Sequence, residues 1–106
     1  MRALNAPMVD SHCHIAGPEF VDDLPQVVAR AQEAGVTAAL VILEGSDDEE
    51  RSRHAVVDRH WPAVRYALGV HPHQAKVFED EPSSVVPHLA AALSQVSRVC
   101  AIGEIG

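Results

Sequence analysis

Val36-Thr37-Ala38-Ala39-Leu40-Val41-Ile42-Leu43 is a nearly unbroken apolar run, rich enough in β-branched residues to read as a strand. A strand without polar alternation must be covered on both faces, which is the condition of a strand inside a parallel sheet. Just before it, Leu24, Val27, Val28 and Ala31 recur at helical spacing, with Asp22 or Asp23 available as N-cap and Gly35 as the stop. Just after it, Ser46-Asp47-Asp48-Glu49 has the form of a capping box, in which a hydroxyl accepts from the backbone N–H three residues on and a carboxylate reaches back. A second helix is expected from there to about His60, closed by Pro62.

Further out the same alternation continues. Met8 to Ile15 reads as a first strand, on which Asp10, His12 and His14 share one face by the period of two. Val64 to Val70 reads as a third strand. Ser83 or Ser84 can cap a third helix, whose stripe is Val85, Val86, Leu89, Leu93 and Val96, with Pro87 tolerable in its first turn. Arg98 to Ile105 reads as a fourth strand with Cys100, Ile102 and Glu104 on one face. The order β-α-β-α-β-α-β implies an α/β fold of parallel strands joined by right-handed crossovers.

Composition bounds what such a sheet can do. The chain has 106 residues, 47% of them hydrophobic, which suits one small folded unit. No repeat, low-complexity tract or long linker divides it, so residues 1–106 are treated as a single domain. Its net charge of −7 offers no sequence-wide basic field for a polyanion, so any nucleic-acid contact must be local or made through bound cations. Cys13 and Cys100 are the only cysteines and do not resemble a secreted disulfide framework; a reducing cytoplasm fits better. Met1 to Pro7 has no long apolar stretch, and no apolar run reaches the ~18 residues of a membrane span. A soluble, untargeted, cytoplasmic protein is expected.

The polar chemistry falls at one edge. His12 and His14 lie late in the first strand, His71 and His73 just past the third, and Glu104 late in the fourth, so all gather at the carboxyl edge, where parallel α/β folds place their active sites. Histidines at i and i+2 on a strand can present ring nitrogens to one ion. A carboxylate within an apolar strand is costly to bury without a cation or donors, and a metal would supply that partner for Glu104. His71 and His73 flank Pro72, which stiffens the turn; they suit substrate or phosphate contact, although His73 can equally face water. Asp10 either orients a ligand histidine or faces solvent. His54, His60 and His88 are read as surface residues, Asp47-Asp48-Glu49-Glu50 as a solvated helix N-terminus, and Cys13 as a packing residue.

Three segments in register, Asp10-Ser11-His12-Cys13-His14, Gly69-Val70-His71-Pro72-His73 and Ala101-Ile102-Gly103-Glu104-Ile105-Gly106, together with Ala34-Gly35-Val36, resemble the TatD family of metal-dependent deoxyribonucleases. The resemblance implies a TIM-type (β/α)₈ barrel with a two-metal centre of Mg²⁺, Mn²⁺ or Zn²⁺, hydrolysing phosphodiester bonds in DNA with 3′-to-5′ exonuclease behaviour. It implies that His12 and His14 bind one metal, that Glu104 bridges to the second, and that His71 lines the site near the substrate phosphate, making Glu104 and His71 the catalytic residues.

A complete barrel takes ~250 residues, whereas this sequence stops at Gly106, so it is expected to be the N-terminal portion, about half a barrel. The family's later histidines and aspartate have no counterpart in it. Half a barrel leaves two sheet edges and an apolar inner face open, so the chain alone is expected to self-associate and to have little or no activity. Two other readings share the His-x-His strand. One is an amidohydrolase-like cyclic-amide hydrolase or a polymerase-and-histidinol-phosphatase type phosphoesterase, and the other is a non-catalytic metal-binding fragment.

Overall fold

In the computed structural model, which describes residues 6–105, four parallel strands form one sheet in the order β1-β2-β3-β4. Met1 to Asn5 and Gly106 lie outside the described residues, and with them most of the Met1–Pro7 start and the closing glycine of the last motif. The strands are β1 (Met8–Cys13), β2 (Val36–Glu44), β3 (Arg65–Gly69) and β4 (Val99–Ile102). Between them run α1 (Leu24–Glu33), then α2 (Asp48–Ser52) and α3 (His54–His60), then α4 (Val85–Leu93). Short 3₁₀ turns occupy Pro18–Phe20, Pro72–Phe78 and Pro82–Ser84. This is the expected α/β alternation, consistent with part of a TIM-type barrel. No helix among the described residues is long and apolar enough to cross a membrane.

The core lies between the helices and one face of the central strands. Ala39, Val41 and Leu43 of β2 and Tyr66 and Leu68 of β3 point the same way and pack with Leu24 and Val28 of α1, Val57 of α3 and Ala92 of α4. Val41, Leu43, Val64, Tyr66 and Leu68 are wholly excluded from solvent. The opposite face is less covered than the unbroken apolar run led us to expect: Ile42 and Ala67 are buried there, but Ala38 and Leu40 are only half-buried. Among the described residues, the helices that contribute to the core pack on the face of Ala39, Val41, Leu43, Tyr66 and Leu68.

Several local expectations shift for identifiable reasons. Ser46 is not the N-cap of α2: Asp47 is, accepting the Glu50 N–H at 3.0 Å, because the Ser46 hydroxyl is already committed to Glu44. The single second helix is broken at Arg53, whose Nε donates to the Ala16 carbonyl at 2.6 Å and ties the break to the segment after β1. Ser84 precedes α4, but its hydroxyl donates to the Glu81 carbonyl instead of capping. Of the stripe read for the third helix, Leu93 in α4 and Val96 just past it pack on the core beside Ala92, and Val85 and Leu89 are half-buried, whereas Val86 stays exposed. β4 ends at Ile102, two residues short of Glu104. Gly35, at φ 102°, ends the α1 turn in the left-handed region, as a glycine stop should.

The regular alternation of β1 is also interrupted. Asp10 stands opposite Ala39 and Cys13 opposite Val41, so three steps of β1 match two of β2, the signature of a bulge. The Asp10 carboxylate accepts the His12 N–H at 3.1 Å within this irregularity. Strict period-two spacing from Asp10 to His14 therefore does not hold, and Asp10 bonds the backbone of His12, not a ring.

Candidate metal centre at the carboxyl edge of the sheet

Each strand ends in a polar side chain at the same edge. β1 delivers His12 and, one residue past its end, His14; β2 ends in Glu44; β3 leads through Val70 to His71; β4 leads through Gly103 to Glu104. Parallel strands make this convergence automatic, because all their carboxyl ends face one way. Glu104 is brought in by the pairing of its own strand: Gly103 N–H donates to the Leu68 carbonyl at 3.0 Å, which fixes the backbone beside it. β3 and the chain after β4 approach so closely here that a Cβ on Gly69 would strike the Glu104 carbonyl and lie 2.9 Å from the Gly103 carbonyl carbon. Gly69 is the residue that permits it.

Around the Glu104 carboxylate stand three imidazoles. Its Oε2 is 3.0 Å from His12 Nε2 and 4.0 Å from His14 Nε2, and its Oε1 is 3.2 Å from His71 Nε2. One ligand atom each from His12, His14 and Glu104 lies within 4.8 Å of the others. Two bonds of ~2.05 Å at a tetrahedral angle put ligand atoms about 3.3 Å apart, a value that the 3.0 and 4.0 Å separations straddle. The donor set, two imidazoles and one carboxylate, is also one that divalent cations accept without sharp preference. These residues fit a metal ion.

His71 differs from the other two. Its Nδ1 accepts the His73 N–H at 2.9 Å, so that nitrogen carries the lone pair and the neutral ring bears its proton on Nε2, facing Glu104. His73 itself is exposed, its ring 4.5 Å from that of His71.

Beside the centre lies an open cleft of about 260 Å³ lined by His14, Glu44, Asp47, Glu50, His71, His73 and Glu104, among others, with no Lys or Arg among the described lining residues. Of these acids the sequence marks only Glu104 as a site residue; Asp47 and Glu50 fall in the run read as a solvated helix N-terminus, and Glu44 is not marked at all. The Glu44 carboxylate accepts from His71 N–H (2.8 Å), Ser46 N–H (3.0 Å) and the Ser46 hydroxyl (2.6 Å). Glu50 is half-buried and accepts the Glu44 N–H at 2.9 Å, and burial raises its carboxyl pKa above the usual range. The acidic run is thus not simply a solvated helix N-terminus: Asp48 and Glu49 are exposed, while Asp47 caps and Glu50 turns inward. A signal for Glu44 was available, since it closes β2 at the edge where the other site residues lie.

Two of the helix histidines also depart from a surface role. His88 Nε2 lies 2.8 Å from the Gly45 carbonyl and its ring meets Phe78 edge-on. His54 packs edge-on against Tyr66 with Nδ1 2.5 Å from the Arg51 carbonyl; both are half-buried, whereas His60 is exposed. Cys13 packs against the core, and burial, with the Asp10 charge second, pushes its thiol up to about 11. Tyr66 is raised too, by burial and then by its hydrogen bond to Asp58.

The sequence model of the family described as TatD related DNase matches residues 9–106. The chain belongs to the TatD family. It is 36% identical over 110 residues to the human protein named deoxyribonuclease TATDN3, a match that covers 100% of this chain and 40% of that protein. It is 35% identical over 100 residues to the 3'-5' ssDNA/RNA exonuclease TatD of Dickeya dadantii, covering 93% of this chain and 36% of the relative. The chain thus spans well under half the length of these TatD relatives. TatD membership separates it from the other lineages that share a His-x-His first strand.

Proposed function

We propose that this TatD-family chain forms part of a metal-dependent hydrolase of phosphodiester bonds in DNA, acting as a 3′-to-5′ exonuclease. The observation that carries the reading is the meeting of His12, His14 and Glu104, from strands at opposite sides of the sheet, within 4.8 Å of one another. The names of the relatives, a deoxyribonuclease and a single-stranded DNA and RNA exonuclease, support this substrate class. Two free thiols, Cys13 and Cys100, support a cytoplasmic setting.

In this reading His12, His14 and Glu104 would hold one divalent ion, and Glu104 would also contribute to holding a second. Mg²⁺, Mn²⁺ and Zn²⁺ all suit the donors. Ions bound there would supply an activated water and Lewis-acid stabilisation of charge on the phosphoryl oxygens. The chain's own residues do the rest. Glu104 balances the charge and turns its second oxygen to His71, whose Nε2–H holds the carboxylate rotamer. The four acids lining the cleft, Glu44, Asp47, Glu50 and Glu104, repel a bare polyanion, so substrate enters only with cations present. His73, exposed beside the cleft, is placed to meet the substrate.

The 106 residues by themselves would take up metal with little or no turnover, since the one group of three ligands among the described residues is His12, His14 and Glu104, which suffices for a single ion. The test grafts residues 1–106 in place of the matching N-terminal part of a full-length TatD relative and follows shortening of 5′-labelled single-stranded DNA. Metal-dependent, 3′-to-5′ shortening that Glu104→Ala abolishes is the expected result. A graft that folds and binds Mn²⁺ but leaves DNA intact would overturn the reading, and hydrolysis of cyclic amides instead would favour the other lineage of chemistry.

A further inference from the structure

Glu44, at the end of β2, accepts three hydrogen bonds through its side chain. Its Oε1 accepts the His71 N–H at 2.8 Å, its Oε2 accepts from both the N–H and the hydroxyl of Ser46, and its own N–H is held by Glu50. A carboxylate with three donors is fixed in rotation. From there the bonds run outward to the candidate metal centre. His71 is pinned at its backbone by Glu44, its Nδ1 is occupied by the His73 N–H, and its Nε2 stands 3.2 Å from Glu104 Oε1. Fixing a ring's backbone on one side and its Nδ1 on the other leaves a single direction and a single neutral tautomer for Nε2–H.

We propose that Glu44 is a positioning residue of the metal centre: it anchors the His71 backbone so that Nε2–H is aimed at Glu104 Oε1, which leaves Oε2 turned to His12 and His14. The last step rests on the metal-site reading above, whereas the placement of His71 does not. Groups that orient a ligating carboxylate commonly set metal affinity as strongly as a weak ligand does. Glutamine at position 44 could still accept from His71 N–H through its carbonyl, but its amide would meet the Ser46 N–H donor to donor. Alanine could accept from neither.

The test reads the metal-free protein first. Imidazole ¹⁵N chemical shifts are expected to show His71 as the Nε2–H tautomer when neutral, with a scalar coupling across the hydrogen bond from His71 N–H to the Glu44 carboxyl carbon. An Nδ1–H tautomer, or no coupling, overturns the proposal without any variant being made. Glu44→Ala is expected to leave His71 a mixture of tautomers and to weaken Mn²⁺ uptake on the order of tenfold, while Tyr66 and Leu68 core signals stay in place. Glu44→Gln restores most of the tautomer and most of the uptake. An unchanged tautomer in Glu44→Ala, or unchanged uptake beside a changed tautomer, sinks the idea. If the wild-type protein takes up no Mn²⁺ at all, the metal-site reading fails, yet the tautomer and the coupling still decide whether Glu44 places His71.

Discussion

The two central strands and the two outer strands of this sheet are built to opposite specifications. β2 and β3 contain Val41, Leu43, Tyr66 and Leu68, none with any solvent exposure, whereas every residue of β1 before Cys13 is exposed and Ile102 of β4 is 58% exposed. The candidate metal ligands all come from the outer pair. Stability is therefore concentrated in the inner strands and the candidate ligands on the outer ones, and the two are joined by the parallel pairings of β1 with β2 and of β3 with β4, the latter carried on by Gly103 N–H donating to the Leu68 carbonyl at 3.0 Å. Ligands on strands that bury little must take their precision from neighbours that bury much.

The contrast is most open to attack at the centre. Leu68→Ala should cost about 2–5 kcal/mol in urea unfolding, since it opens a cavity among fully packed neighbours, and Ile102→Ala well under half as much. Equal losses at the two sites would erase the distinction between inner and outer strands. Next in size is Gly69→Ala, at about 1–3 kcal/mol, because the new methyl must displace the Gly103–Glu104 backbone. Its sharper readout is Mn²⁺ uptake, which should fall further than the stability loss explains; uptake that survives intact would mean that Glu104 does not depend on β3 for its place.

A smaller effect is expected away from both. Asp47→Ala removes the α2 cap and should cost about 1 kcal/mol by thermal melting, with Ser46→Ala well below that if Asp47 is indeed the capping residue. The smallest perturbation is chemical. Cys100 on β4 is exposed and should be labelled quickly by a disulfide reagent near neutral pH, while Cys13, half-buried with its thiol pushed up to about 11, should resist. Because the thiolate is the reacting form, Cys13 labelling should climb steadily as pH rises toward that value. Equal rates at pH 7 would show that β1 opens as freely as its exposure allows. Open edges at β1 and β4 also predict concentration-dependent association of the 106-residue chain in sedimentation velocity; a monomer with a sharp, concentration-independent melt would contradict it.

Element order and the identity of the rim residues were readable from one-dimensional pattern, because strands, helical stripes and glycine stops are local periodicities. The run 36–43, the stop at Gly35 and the gathering of His12, His14, His71 and Glu104 near the carboxyl ends of their strands are of this kind. What failed to read was competition among neighbours. Ser46 has the right type and spacing for a cap, yet a carboxylate two residues back takes its hydroxyl. Glu50 looks like one of four solvated acids, yet the free N–H at the end of β2 draws it inward. Asp10 looks like a partner for an imidazole, yet a bulge puts a backbone N–H within its reach first.

Sequence alone determined that strands and helices alternate, that the strands run parallel, and hence that imidazoles and a carboxylate written up to about ninety positions apart must share an edge. Tertiary structure alone decided how they face one another there. Which oxygen of Glu104 meets which ring, which nitrogen of His71 keeps its proton, and which acid holds the loop between them depend on distances of a few tenths of an ångström between side chains from different strands. Those distances come from packing and register, and no spacing along a chain encodes them.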